Sequence, residues 1–380
     1  MLPLDISIGT LAYTVFALLG LCFLLDYFRK SKVTIHYSSP QFSKFVHTTF
    51  QKQSLRFFPF PPLFFSFGQT YLSFQTYQDD KNLVLTRESF DYPTGGTGHV
   101  EWITTKDETK QFHPNVIAFI LPGLRSRPET PYLRDIYSQL INGGIRPVLF
   151  VPRFNDHKLQ LPFSKPFNLV DDMHQGVLYV KKKYPEAKLI VIGHSYGANT
   201  VVNYMAIHNK ESNFIAGVSI ANPWDFHLCE AYCRGRRAEK HLVIDMKKIV
   251  ASGSEDVIRE AKHRSWSLDE IINGKTVVEM DSLFTSKAMG YKSHAEYYTD
   301  ASSRLRIGDV KVPLFVINAV DDPLIDPKGL PLKAHLENPN ILFVETKRGG
   351  HLGWVDGIFK LRRWHLPIVV DFVKWIAEKS

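Results

Sequence analysis

Residues 189–197 read Leu189-Ile190-Val191-Ile192-Gly193-His194-Ser195-Tyr196-Gly197, and this stretch decides the fold. The first four are aliphatic without interruption, the pattern of a strand buried on both faces. The residues after them, 198–207, carry a helical pattern. Ser195 therefore stands at a strand-to-helix turn. A serine there projects its hydroxyl into a cleft, and Gly193 and Gly197, two residues to either side, leave room for a strained backbone and close packing. The five-residue pattern alone arises readily by chance; the strand before it and the helix after it make it a signal.

Working outward, similar apolar runs recur at 116–121 (VIAFIL), 147–151 (PVLFV), 214–220 (FIAGVSI), 313–317 (PLFVI) and 341–344 (ILFV). Helical patterns separate most of them, at 170–184 and 198–207, and Val369, Phe372, Val373 and Ile376 mark a closing helix. The alternation predicts an α/β fold with a mostly parallel central sheet and helices on both faces. Residues 223–308 break the rhythm and read as a largely helical lid insertion. Residues 33–110 read as an irregular extension packed on the core. Within it, 57–65 (FFPFPPLFF) is too broken by proline for a helix or central strand. That run reads either as a hydrophobic lip facing a bilayer or as a segment wrapped over the core.

The N-terminal region, 1–32, has a different character. Residues 8–25 (IGTLAYTVFALLGLCFLL) hold no charge and approach the roughly 17–25 residues that cross a bilayer. Asp26, Tyr27 and Phe28 then lead into Arg29, Lys30 and Lys32. Basic residues follow the apolar run instead of preceding it and no small-residue cleavage site appears, so the expectation is a transmembrane anchor, not a cleaved signal. The positive-inside rule places the remaining body, 111–380 with its extension, in the cytosol; the membrane expected is the endoplasmic reticulum or another endomembrane.

The formal charge of +8 is spread along the chain with no nucleic-acid-binding motif, which argues against nucleic acid and leaves anionic lipid or a plain solvated surface. Arg234, Arg236 and Arg237 read as such a surface. Cys22, Cys229 and Cys233 make neither a disulfide framework nor a metal site; the latter pair read as buried fillers.

A serine hydroxyl is a poor nucleophile until a histidine takes its proton, and the histidine needs an acid to fix its tautomer. In this chain order the acid and histidine should follow Ser195 at strand ends. Residues 318–323 (NAVDDP) and 349–353 (GGHLG) supply them. His351 is the expected base. Asp322, which precedes the turn Pro323-Leu324-Ile325, is preferred to Asp321 as the acid. The oxyanion of an acyl-transfer intermediate needs backbone donors; Tyr196 offers one and Leu124, after the flexible Gly123, a second. His194 reads as packing. His351 and Asp356 also spell H-x-x-x-x-D, a spacing that 15 histidines produce easily. No metal or organic cofactor is called for.

These residues resemble the α/β-hydrolase-domain proteins of the AB hydrolase 4 family, which includes bacterial YheT-like esterases and eukaryotic membrane-anchored lipases and phospholipases. The similarity runs from about residue 57 to the end, through 69–70 (QT), 121–124 (LPGL), 193–197 (GHSYG), 222–225 (NPWD), 290–293 (GYKS), 296–298 (EYY), 301–303 (ASS), 318–323 and 349–353. The resemblance implies the α/β-hydrolase fold, a Ser195, Asp322, His351 triad and hydrolysis of acyl esters, with a lipid or other hydrophobic ester as substrate. The chain departs from the family in two turns: Arg125-Ser126-Arg127-Pro128 replaces Thr or Ser with glycines, and Pro93-Thr94-Gly95-Gly96 replaces an Asp-Gly-Gly turn. Arg125 and Arg127 are thus candidate contacts for a phosphate-bearing head group. An acyltransferase with an alcohol or lysolipid acceptor, and a non-catalytic scaffold on the same fold, are the competing readings.

Overall fold

The computed structural model describes residues 8–53, 56–75, 81–162, 165–208 and 214–379, with backbone alone at 8–14, 23, 51–53 and 254. Each apolar run is a strand. In chain order the main sheet comprises β1 (Val33–His36), β2 (Leu83–Asp91), β3 (Thr97–Thr105), β4 (Val116–Leu121), β5 (Arg146–Val151), β6 (Lys188–His194), β7 (Phe214–Ile220), β8 (Leu314–Ala319) and β9 (Ile341–Thr346). Their spatial order is β1-β9-β8-β7-β6-β4-β5-β3-β2. The six from β9 to β5 are parallel. β1 joins one edge and the β3-β2 hairpin the other, all antiparallel.

The helices are α1 (Ile8–Arg29), α2 (Pro40–Gln53), α3 (Ser66–Leu72), α4 (Pro131–Asn142), α5 (Leu169–Lys183) and α6 (Tyr196–Ile207), with a C-terminal helix His365–Ala377. The chain steps from β4 outward to β5, then back across β4 to β6. Right-handed crossovers therefore put α4 on one face and α5 and α6 on the other. The C-terminal helix packs on α4 and α2, and α5 on α6. The reversal makes β4 and β6 neighbours, with Leu121 opposite Gly193. At such a switch point the loops leaving two adjacent strands diverge and open a crevice. Ser195 stands in it.

Between β7 and β8 the described residues form helices and turns, beginning with α7 (Phe226–Cys233) and α8 (Arg237–Ser252). Their apolar faces, including Val243, Ile249, Met280 and Phe284, make a second core with Phe154, Leu159 and Phe167. These helices roof the crevice.

The extension is more ordered than its sequence suggests. β1, β2, β3, α2 and α3 all fall in 33–110, where irregular structure is expected. β2 and β3 lack apolar runs because their charged residues pair laterally: Arg87 Nε donates to Glu101 (2.5 Å) and Trp102 Nε1 to Glu88 (2.7 Å). The family-divergent turn at 93–96 is held by buried Arg153, which donates to the Gly95 carbonyl and Thr94 hydroxyl, pairs with Asp172 at 2.6 Å, and stacks 3.9 Å over Tyr92. The proline-rich run wraps over the core in part. Phe57 is buried against Trp364, while Phe65 stays exposed.

Among the described residues no helix is long and apolar enough to cross a membrane. The span expected at 8–25 falls on α1, and the side chains of 8–14 and 23 lie outside the described residues.

Past β9, β10 (Val355–Asp356) and β11 (Arg362–Arg363) form a small hairpin. Arg363 is buried and donates to Asp135 of α4 (2.6 Å), to the Leu352 carbonyl, and to the Ser73 and Gln75 carbonyls. Removing one partner of a buried pair leaves a charge that water cannot reach. Asp135→Ala is expected to destabilise the fold by about 3–5 kcal/mol in urea titrations, far beyond an exposed pair such as Lys158 with Glu255.

Candidate active site

Ser195 adopts φ 53° and ψ −121°, a conformation disfavoured for any residue with a Cβ. Two absences of side chain permit it. A Cβ on Gly193 would meet the Ala198 Cα at 2.5 Å, and one on Gly197 would meet the Pro122 carbonyl at 2.4 Å. The serine hydroxyl is thus held at the end of β6, facing the loop after β4.

His351 reaches it from the loop after β9. Its Nε2 lies 2.7 Å from Ser195 Oγ and its Nδ1 2.7 Å from Asp322 Oδ2. A carboxylate can only accept, so Nδ1 carries the proton and Nε2 accepts from the serine. Asp322 is fully buried, and its other oxygen accepts the Leu324 N–H at 2.8 Å. Asp321 does a different job: it accepts the Gly350 N–H (2.9 Å), bracing the histidine loop from beneath. The loop is also held by Thr70, whose hydroxyl accepts the His351 N–H, and by Gln69, whose amide bonds both backbone groups of Val355.

Leu124 and Tyr196 both border the cavity beside Ser195. The Leu124 loop is fixed by two residues that sequence reasoning missed. The Tyr132 hydroxyl accepts the Gly123 N–H and donates to Ser126, both at 2.8 Å, and Asn155 donates to the carbonyls of Gly123 (2.6 Å) and Ser126 (2.8 Å). Three of these four partners are main-chain groups, those of Asn155 about thirty residues away, and no residue-type pattern announces them.

His194 is buried against the Tyr132 ring, and burial pushes its imidazole down to about 3. It stays neutral and packs. Asp356 pairs with Arg362 in the hairpin, which gives it a structural partner away from the serine. Arg125, also at positive φ, pairs with Asp245 of α8 at 3.3 Å. Arg127 is exposed, with its N–H bonded to the Thr130 hydroxyl. Neither arginine lines the cavity.

The cavity walls are mostly apolar: Phe154, Phe226, Leu242, Met246, Ile249, Val277, Phe284 and Leu324. Its polar atoms are internally matched. The Tyr298 hydroxyl donates to Asp281 (2.7 Å) and those of Tyr196 and Tyr297 share a bond (2.9 Å). Among the described residues no cluster of metal-ligating side chains occurs.

Comparison with known proteins fits this geometry. No family model matches the chain. The chain is 25% identical over 349 residues to phospholipase ABHD3 of Bos taurus, an alignment covering 89% of this chain and 82% of that protein. It is 26% identical to embryogenesis-associated protein EMB8 of Picea glauca, over 77% and 66% of the two chains. The chain is related to these proteins over most of its length. The resemblance to the AB hydrolase 4 family stands. Medium-chain fatty acid ethyl ester synthase/esterase 2 of Saccharomyces cerevisiae is 24% identical over 73% of this chain and 69% of its own.

The brace under the histidine loop has a pH signature. Burial, with the neighbouring Asp322 charge, raises Asp321 to about 7. The unfolded chain releases that proton near 3.8, so between those values the folded state holds one more proton and stability falls as pH rises. In Asp321→Asn the amide still accepts the Gly350 N–H but cannot ionise. Its urea midpoint should exceed the parent's by a margin that grows from pH 4 to pH 7 and then levels.

Proposed function

We propose that the chain is a membrane-anchored serine hydrolase that cleaves acyl esters of lipids, phospholipid or acylglycerol, through Ser195, His351 and Asp322. The observation that carries this reading is the unbroken line from Ser195 Oγ through the imidazole to the Asp322 carboxylate, opening on an apolar cavity. His351 takes the hydroxyl proton as Ser195 attacks the ester carbonyl, and Asp322 stabilises the resulting imidazolium. The N–H groups of Tyr196 and Leu124 bind the oxyanion; one such donor is worth about 3–4 kcal/mol elsewhere. His351 then returns the proton to the leaving alcohol, and water repeats the sequence on the acyl-enzyme. No step calls for a metal or organic cofactor.

The carboxylic ester hydrolase reading agrees with relatives named phospholipase and esterase. The apolar walls suit an acyl chain, since each buried CH₂ contributes roughly 0.8 kcal/mol. Anchoring is supported by α1, where Val15, Phe16, Leu18, Leu19, Leu21, Leu24 and Leu25 are all exposed. Among the described side chains of this helix those from 15 to 25 are apolar and uncovered, and such a surface needs another apolar environment. The cationic flank Arg29–Lys32 supports a body on the cytosolic side of the membrane, which we take to be the endoplasmic reticulum or another endomembrane.

A second reading is alcohol in place of water as acyl acceptor. The name of the yeast relative, synthase as well as esterase, favours it. Incubating the acyl-enzyme with and without a short alcohol separates the two by the ester formed.

The purified full chain should react with a fluorophosphonate probe, and Ser195→Ala should lose that labelling with its circular dichroism unchanged. Labelling that persists would move the nucleophile elsewhere. Asp322→Asn, which keeps the shape but disturbs the tautomer, should lower kcat by roughly ten-thousand-fold. For the head group, Arg127→Ala should shift the ratio of phospholipid to monoacylglycerol turnover toward the neutral lipid. An unchanged ratio would remove Arg127 from substrate recognition.

A further inference from the structure

Segments remote in sequence meet at the carboxyl end of α1. The Tyr27 hydroxyl donates to the Pro59 carbonyl (2.6 Å), and the Phe58 ring lies against Tyr27 and Phe28, centroids 5.8 and 5.6 Å apart. Pro59 bridges to Asp356 of β10, and the Phe60 N–H donates to the Val355 carbonyl. Gln69 of α3 binds Val355 from the other side. The β10-β11 hairpin and α3 are thereby fixed beside the last turn of α1.

What these segments leave uncovered is apolar. Ile358 and Phe359 at the hairpin tip are 68% and 103% exposed, and Phe65 and Tyr71 are 47% and 61% exposed. The tip is a constrained turn: Gly357 has φ +97°, and a Cβ there would lie 2.2 Å from the Lys360 carbonyl. Single exposed apolar residues are ordinary. Four on segments tied to one another beside an uncovered apolar helix are not. Lys32, Arg56 and Lys360 are exposed on the same segments. Aromatic side chains with a cationic rim match the headgroup layer of an anionic bilayer.

We propose that the hairpin tip, Ile358 and Phe359, together with Phe65 and Tyr71, is a second membrane contact, seated in the headgroup layer of an anionic bilayer beside the anchor. It rests on the anchored reading of α1. The contact bears on catalysis through short connections. β10 begins four residues after His351, and Thr70, one residue before Tyr71, holds the His351 N–H. Seating the patch therefore fixes the histidine loop relative to the lipid surface.

The full chain carrying benzoylphenylalanine in place of Phe359 would be reconstituted in phosphatidylcholine vesicles containing phosphatidylserine, irradiated, and analysed by mass spectrometry. Parallel samples carry the probe at Leu19, in the anchor, and at Glu186, in the exposed turn before β6 at the opposite end of the sheet. Lipid adducts are expected at 359 and 19 and not at 186. Adducts at 19 without any at 359 overturn the second contact and leave the anchor reading standing. Adducts at neither remove both. A crosslink from 359 to another copy of the chain assigns the patch to self-association and overturns the proposal. The double variant Ile358→Ser, Phe359→Ser should hydrolyse a soluble short-chain ester at the parental rate while turnover of vesicle lipid falls about tenfold, the loss expected when two apolar side chains no longer enter the interface. Equal turnover of vesicle lipid would also overturn it.

Discussion

The Arg363 guanidinium holds together parts that the sheet alone would not. It is buried, yet it donates to Asp135 of α4, to the carbonyl next to His351, and to two carbonyls just past α3. A buried cation is tolerated only when its donors are matched, so these four acceptors have little freedom to move independently. The consequence is directional. The helix layer, the histidine loop and the extension behave as one block, against which the strained serine turn is set from the far side of the crevice.

That division explains how a sparse set of side chains makes an ordered site. Ser195 is positioned by backbone crowding at Gly193 and Gly197, His351 by the hydrogen bonds it donates to Thr70 and Asp322, and the Leu124 loop by Tyr132 and Asn155. Each depends on a different element, and each is rigid before substrate arrives. Preorganised donors lose little reorganisation energy at the moment of reaction. The roof is different in kind: its helices meet the Leu124 loop through an apolar core and the half-exposed pair Arg125 with Asp245, which contributes little.

The legible parts of this fold are those whose physics is local. Strands β4 to β9 are buried on both faces and so spell themselves as apolar runs, and the serine turn carries its steric requirement in five consecutive residues. Chain order and strand ends select His351 and prefer Asp322, and the fold sets that carboxylate 2.7 Å from the imidazole. The illegible parts are settled by partners elsewhere. β2 and β3 look like polar loop because Arg87, Glu88, Glu101 and Trp102 satisfy one another only after pairing. Arg125 reads as a contact for phosphate, and its pairing with Asp245, 120 residues later, has no local signal. Asn155 acts on carbonyls and Tyr132 on an amide, groups that every residue or nearly every residue has.

The stretch from α1 to β1 has a further meaning. Only Lys30, Ser31 and Lys32 separate Arg29 from Val33, a span of about 10 Å at full extension. Even this is stitched down, for Arg56 donates to Phe28 and Ser31, and the Phe57 N–H to the Ser31 carbonyl. With α1 in a bilayer, the body has no leash. Under the proposed anchoring it would ride at one fixed height and tilt, and its search for substrate would be lateral, confined to lipids that diffuse within its own leaflet.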